Sequence, residues 1–107
     1  MLRILIVDDF DPWRIYLRSL LEKRPGFQVV GEATDGLQAV DKAQTLQPDL
    51  ILLDIGMPGL NGIAAAERIR KLSPNSKMLF LSVENTAEFV EAAQRGSAPK
   101  ATFPSQR

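Results

Sequence analysis

The sequence predicts a doubly wound α/β domain, a parallel sheet with helices on both faces, and three features carry that expectation. Leu50-Ile51-Leu52-Leu53 is an unbroken apolar run closed off by Pro48 before it and by Gly56, Pro58 and Gly59 after it. Such a run, bounded by turn residues, reads as a strand buried on both faces. Each strand-like run is followed by a stretch whose apolar residues recur at spacings of three and four, the mark of a helix lying on a core. No internal repeat, low-complexity segment or linker breaks the alternation. The order β-α-β-α-β-α-β-α demands right-handed crossovers and therefore a parallel sheet.

The first strand is predicted over Leu2 to Val7, ending at Asp8-Asp9. Asp11 then suits an N-cap, with Pro12 at the first helical position. Trp13, Tyr16, Leu17, Leu20 and Leu21 form the core stripe of the first helix, and Arg14, Arg18, Glu22 and Lys23 its wet side. Pro25-Gly26 stops it, and Lys23 and Arg24 complement the dipole of its last turn. Phe27 to Ala33 is the second strand, with Gln28 and Glu32 as polar interruptions. Asp35-Gly36 opens a second helix with Leu37, Val40, Ala43 and Leu46 on one stripe. Asp49 to Leu53 is the third strand. Asn61 is placed to cap a third helix, with a stripe of Ile63, Ala66, Ile69 and Leu72. Ser73-Pro74-Asn75 reads as a turn. Lys77 to Val83 is the fourth strand, ending near Ser82, and a fourth helix is expected from about Asn85 to Gln94, burying Phe89, Val90 and Ala93. From Arg95 to Arg107 the periodicity disappears, and Pro99 and Pro104 forbid a central strand.

Composition removes several function classes. The chain has 107 residues, of a size for one domain, and a formal net charge of +0, so no basic field favours nucleic acid or a membrane surface. It has no Cys and no His. Disulfide frameworks, thiolate chemistry, imidazole metal sites and Ser-His triads are therefore excluded within it, and the absence of Cys suits a cytoplasmic setting. No apolar run approaches membrane-spanning length, and Met1-Leu2-Arg3 leads into the first strand without a cleavage-site pattern.

In a doubly wound sheet, ligands bind outside the carboxyl ends of the strands. Three strand ends here carry acids or a hydroxyl: Asp8 and Asp9, then Asp54, then Ser82. If the first and third strands are neighbours, the carboxylates share one pocket, where they cannot all ionise cheaply. A hard divalent cation relieves the repulsion, and Mg²⁺ suits such oxygen donors. Beside it, an ionised Asp54 is a nucleophile for a phosphoryl group, giving an aspartyl phosphate. The Ser82 hydroxyl is placed to donate to a phosphate oxygen. Singly, each acid fits a turn or a helix cap equally well; specificity lies in the joint pattern of strand-Asp-Asp, strand-Asp-x-x-Met-Pro-Gly-x-x-Gly and strand-Leu-Ser.

Those words carry a resemblance. Ile6-Val7-Asp8-Asp9, Gly31-Glu32-Ala33 with Asp35-Gly36, Asp49 through Gly62, and Leu81-Ser82 make residues 1 to about 94 resemble a bacterial two-component response-regulator receiver domain, CheY-like in type. They are most similar to the receivers of LuxR/NarL-type transcriptional regulators. The resemblance implies a flavodoxin-like sheet of strand order 2-1-3-4. It implies that Asp54 is the phosphoacceptor, that Asp9, Asp54 and the backbone carbonyl of Gly56 hold Mg²⁺ with Asp8 assisting through water, and that Ser82 is the switch hydroxyl. The phosphodonor it implies is a partner histidine kinase, and the output transcription through an effector domain outside this chain.

The tail departs from the family. Members continue with a fifth strand of the type Gly-Ala-Lys-Gly-Tyr-Val-Pro-Lys-Ser and a fifth helix, and the lysine at that strand end pairs with the phosphoryl group. Here Lys100 lacks that context and Phe103 precedes a proline, so no residue stands in the lysine's place. The chain thus reads as one receiver domain over 1–107, family-like over 1–94, with a divergent tail over 95–107. Codons exist for this tail whose shifted frame spells Gly-Tyr-Val-Pro-Lys-Ser, so it is read as a change of frame, which the coding DNA tests. A missing fifth strand and helix would leave the fourth strand as an exposed edge and uncover the face of the first and fourth helices. A marginally stable domain, or a homodimer burying one of these surfaces, is expected, with metal binding kept and switching impaired. Two alternatives stand beside the switch. One is a receiver-like interaction module that does not switch. The other is a small aspartate-nucleophile phosphatase of the haloacid-dehalogenase type, suggested by Asp9-Phe10-Asp11 but lacking a later acidic pair. Otherwise no enzyme activity is expected beyond self-phosphorylation from small phosphodonors and self-dephosphorylation.

Overall fold

The structure, a computed structural model, describes residues 1–54 and 62–81. In chain order these form β1 (Leu2–Val7), α1 (Asp11–Glu22), β2 (Phe27–Ala33), α2 (Gly36–Leu46), β3 (Leu50–Asp54), α3 (Gly62–Leu72) and β4 (Lys77–Leu81). Gly56, Ser82, the Asn61 cap, the fourth helix expected over 85–94 and the tail over 95–107 lie outside the described residues. The four strands are parallel in the order β2-β1-β3-β4. The expected doubly wound sheet is therefore present, with β1 and β3 at its centre.

Strand alternation divides the core in two. In β1, Leu5 and Val7 face α2 and α3 together with Ile51 and Leu53 of β3, while Ile4 and Ile6 face α1 with Leu52. All of these are buried. Both layers are apolar because a central parallel strand has no wet face. On one side Ala39 and Ala43 of α2 meet Ala65, Ala66 and Ile69 of α3. On the other, Trp13 sits over the sheet with Tyr16, Leu17 and Leu21 packed around it.

β2 carries an irregularity that matters for the site. Ile4 pairs with Val29 but Leu5 pairs with Gly31, so Val30 is an extra residue. A bulge of this kind reverses the alternation beyond it. Val29 lies on the α1 face, Ala33 lies on the α2–α3 face, and Glu32, opposite Ile6, is returned to the α1 face.

Several local expectations need correction. Asp11 is the first residue of α1 rather than its cap: Phe10 holds the cap position and its carbonyl accepts the Arg14 N–H at 3.0 Å. The Asp11 carboxylate is taken instead by the Arg14 guanidinium, and Pro12, lacking an N–H, is tolerated anywhere in the first turn. α1 ends at Glu22, so Lys23 is its C-cap and Arg24 lies beyond it. β3 runs Leu50–Asp54, one residue later than Asp49 to Leu53. Leu20, Leu37, Ile63 and Leu72 are exposed although each sits on an expected stripe. In α2 and α3 the buried apolar side chains are Ala39, Ala43, Ala65, Ala66 and Ile69, of which Ala39 and Ala65 lie off the expected stripes.

At the amino end of the sheet a polar knot joins α2 to α3. Gln47, in the left-handed region at φ 47°, donates from Nε2 to the Gln44 carbonyl at 2.9 Å and to the Leu72 carbonyl at 3.0 Å. Ser73 is buried beside it and shares a hydrogen bond with Ser76, whose hydroxyl also reaches the Pro48 carbonyl. Among the described residues no helix is long and apolar enough to cross a membrane.

Candidate metal and phosphoacceptor site

The opposite, carboxyl end of the sheet carries the acids. Asp8 follows the last residue of β1, and Asp54 is the last residue of β3. Because β1 and β3 are direct neighbours in register, with Val7 opposite Leu53, the residues that leave the two strands emerge side by side. One carboxylate oxygen each from Asp8, Asp9 and Asp54 lies within 4.8 Å of the other two. The condition set by the sequence, adjacency of the first and third strands, is therefore met.

The three acids differ in surroundings. Asp9 is exposed, Asp54 half-buried, and Asp8 buried at 5% exposure. Asp8 is held on both sides: its N–H donates to the Ala33 carbonyl at 3.0 Å, and its Oδ1 accepts the Phe10 N–H at 2.9 Å. Burial pushes its carboxyl up to about 7; the nearby charges of Asp54 and Asp9 push the same way, against the Phe10 hydrogen bond and Arg14. Crowded negative charge of this kind, offered entirely by hard oxygen donors, fits a divalent cation such as Mg²⁺. Asp8, Asp9 and Asp54 are the residues placed to hold it. Gly56 and Ser82, the other two residues expected at the site, lie outside the described residues.

An ion-pair system beside the pocket escaped the sequence reading. Glu32 accepts from Arg14 Nε at 2.8 Å and is also bonded by Arg18 Nη1. Burial raises its carboxyl, but the hydrogen bonds from Arg18 and Arg14 outweigh this and leave it below the ordinary range. Lys42 adds a bond to the Glu32 carbonyl. The signal available in the sequence was a lone charge within β2 and two arginines four apart on α1, but the bulge that brings them to one face is not legible there.

Residues 4–100 match the response regulator receiver domain family. The chain is 42% identical over 96 residues to the chemotaxis protein CheY of Thermotoga maritima, covering 89% of this chain and 79% of that one. It is 40% identical over 95 residues to the nitrate/nitrite response regulator protein NarL of Escherichia coli, covering 88% of this chain and 44% of that protein. Among solved structures it is similar to the response regulator domain of Thermotoga maritima CheB, with a TM-score of 0.73, 40% identity, and 92% and 75% of the two chains covered. It is also similar to a structure of the P1 domain of CheA3 in complex with CheY6 from R. sphaeroides, with a TM-score of 0.66, 35% identity, and 90% and 77% covered. Against protein-glutamate methylesterases the chain spans only 25% to 31% of the relative's length.

Proposed function

The chain belongs to the response regulator receiver domain family, and on that premise we propose that it is a Mg²⁺-dependent phosphoacceptor switch with Asp54 as the acceptor. The observation that carries the reading is the convergence of Asp8, Asp9 and Asp54 at the adjoining ends of β1 and β3. An Asp54 carboxylate oxygen attacks the phosphorus of a phosphohistidine on a partner kinase. The P–N bond breaks, the imidazole departs with a proton from solvent, and an acyl phosphate remains on Asp54. Bound Mg²⁺ would supply positive charge to the transferring oxygens. Asp9, Asp54 and the Gly56 carbonyl are proposed as its ligands, with Asp8 acting through water and Ser82 donating to the phosphoryl oxygens.

Receiver domains act in signalling, with histidine kinases or their phosphotransfer domains, and the CheY6 complex with the P1 domain of CheA3 supports a kinase as donor here. The similarity to NarL supports transcription as the output, through a domain outside residues 1–107 and in the cytoplasm. A second reading, a receiver-like module that docks without switching, draws on the tail, which has no lysine in the family's context. A homodimer through the β4 edge or the α1 side belongs to either reading and is tested by sedimentation at micromolar concentration.

The deciding experiment is intact-mass measurement after incubation with Mg²⁺ and acetyl phosphate, beside Asp54→Asn. A gain of one phosphoryl mass in the unsubstituted chain alone is the expected result. No gain while Mg²⁺ still binds would overturn the switch and leave the docking module.

A further inference from the structure

Arg14 touches the acidic loop from behind. Its side chain is 12% exposed and all three of its guanidinium nitrogens are engaged. Nη1 donates to the Asp8 carbonyl at 2.9 Å, Nε to Glu32 Oε1 at 2.8 Å, and Nη2 pairs with Asp11 Oδ1 at 2.6 Å. The Asp8 carbonyl is half of the peptide that joins Asp8 to Asp9. Because a peptide is planar, holding its carbonyl holds the bond from which Asp9 departs. Asp9 is exposed, so packing does not hold its side chain, and the clamped peptide fixes the point from which its backbone and side chain start.

We propose that Arg14 is a positioning residue for the pocket: by clamping the Asp8 carbonyl it aims the Asp9 carboxylate at Asp8 and Asp54, and Glu32 is the anchor that holds Arg14 in place. The bulge at Val30 completes the arrangement, since it returns Glu32 to the α1 face where Arg14 lies. Lysine cannot substitute, because one ammonium does not reach the Asp8 carbonyl, Asp11 and Glu32 at once, whereas the rigid fork of arginine does. This inference rests on the metal-pocket reading above.

The test compares Arg14→Lys and Arg14→Met with Arg18→Met. The last removes the bonds from Arg18 to Glu32 and Glu22 but leaves the Asp8 carbonyl untouched. Mg²⁺ affinity is read by calorimetry, thermal stability by Tm, and the Asp8–Asp9 peptide by the amide resonance of Asp9 in metal-free protein. Both Arg14 variants are expected to bind Mg²⁺ about tenfold more weakly, the usual scale for a group that orients a ligand, and to shift the Asp9 amide. Arg18→Met is expected to lose Tm while binding Mg²⁺ within about twofold of the parent. Arg14 variants that lose Tm but bind Mg²⁺ as the parent does, with the Asp9 amide unmoved, would make Arg14 a mere brace and overturn the proposal. Should Arg14→Met not fold, Arg14→Lys alone decides on the same readouts. A parent chain that binds no Mg²⁺ would overturn the pocket reading itself, a result distinct from equal binding by parent and variants.

Discussion

Replacing Asp8 with Asn should make the metal-free domain more stable, by an amount that depends on pH in a defined way. Asp8 is buried and its carboxyl is raised from 3.8 to about 7. A folded-state value above the unfolded one means that the native protein holds a proton which the unfolded chain has released between these two pH values. The stability contributed by that proton is fully present below about pH 4. It is lost as pH rises through 7, where Asp8 must ionise in a buried, acidic place. At about 1.4 kcal/mol for each tenfold difference the full cost approaches about 4 kcal/mol, and relaxation of the pocket should leave about 2–4 kcal/mol. Asparagine removes the charge but keeps an oxygen for the Phe10 N–H. The variant and the parent should therefore be equally stable near pH 4, and should separate by about 10 °C in Tm above pH 7, as expected for a domain of this size. Added Mg²⁺ should close the gap, because it stabilises the parent by mass action and the variant less. Denaturation from pH 4 to 8, with and without Mg²⁺, measures all of this. Parallel stability curves for the two chains across that range would refute the account of Asp8 as a buried, metal-awaiting charge.

Two further substitutions probe the scaffold. A Cβ added at Gly31 would stand 2.8 Å from Leu46 Cδ1 and 3.4 Å from Leu5 Cδ1. Gly31→Val should therefore cost about 1–3 kcal/mol of overpacking between β2 and α2, seen as a lower denaturation midpoint; an unchanged midpoint would mean that Leu46 yields freely. Asp35 caps α2 by accepting the Gln38 N–H at 2.8 Å, so Asp35→Ala should lose about 1 kcal/mol and Asp35→Asn only a fraction of that, both read by chemical denaturation.

The strands and helices of residues 1–54 and 62–81 were legible because their evidence is local. An apolar run between turn residues marks a buried strand wherever it occurs, and β1 and β2 fall where the sequence placed them. The acids at the strand ends were legible for the same reason. Helix faces were less so: a stripe at spacings of three and four names a face, but Leu37 and Ile63 stand outside while Ala39 and Ala65 line the contact between α2 and α3, because the separation of two helices is not a property of either alone.

What the sequence by itself determined is therefore the order of elements, their kind, and which residues stand at the carboxyl ends of the strands. All of these follow from neighbours in the chain. That β1 and β3 lie side by side was implied by the family resemblance and by no local pattern; the tertiary structure realises it and brings one oxygen each of Asp8, Asp9 and Asp54 within 4.8 Å. Only the tertiary structure decided that one extra residue at Val30 turns Glu32 toward Arg14, and through Arg14 toward the Asp8 carbonyl. Strand adjacency and the parity of a bulged strand are set by contacts between segments far apart in sequence, where local pattern carries no information.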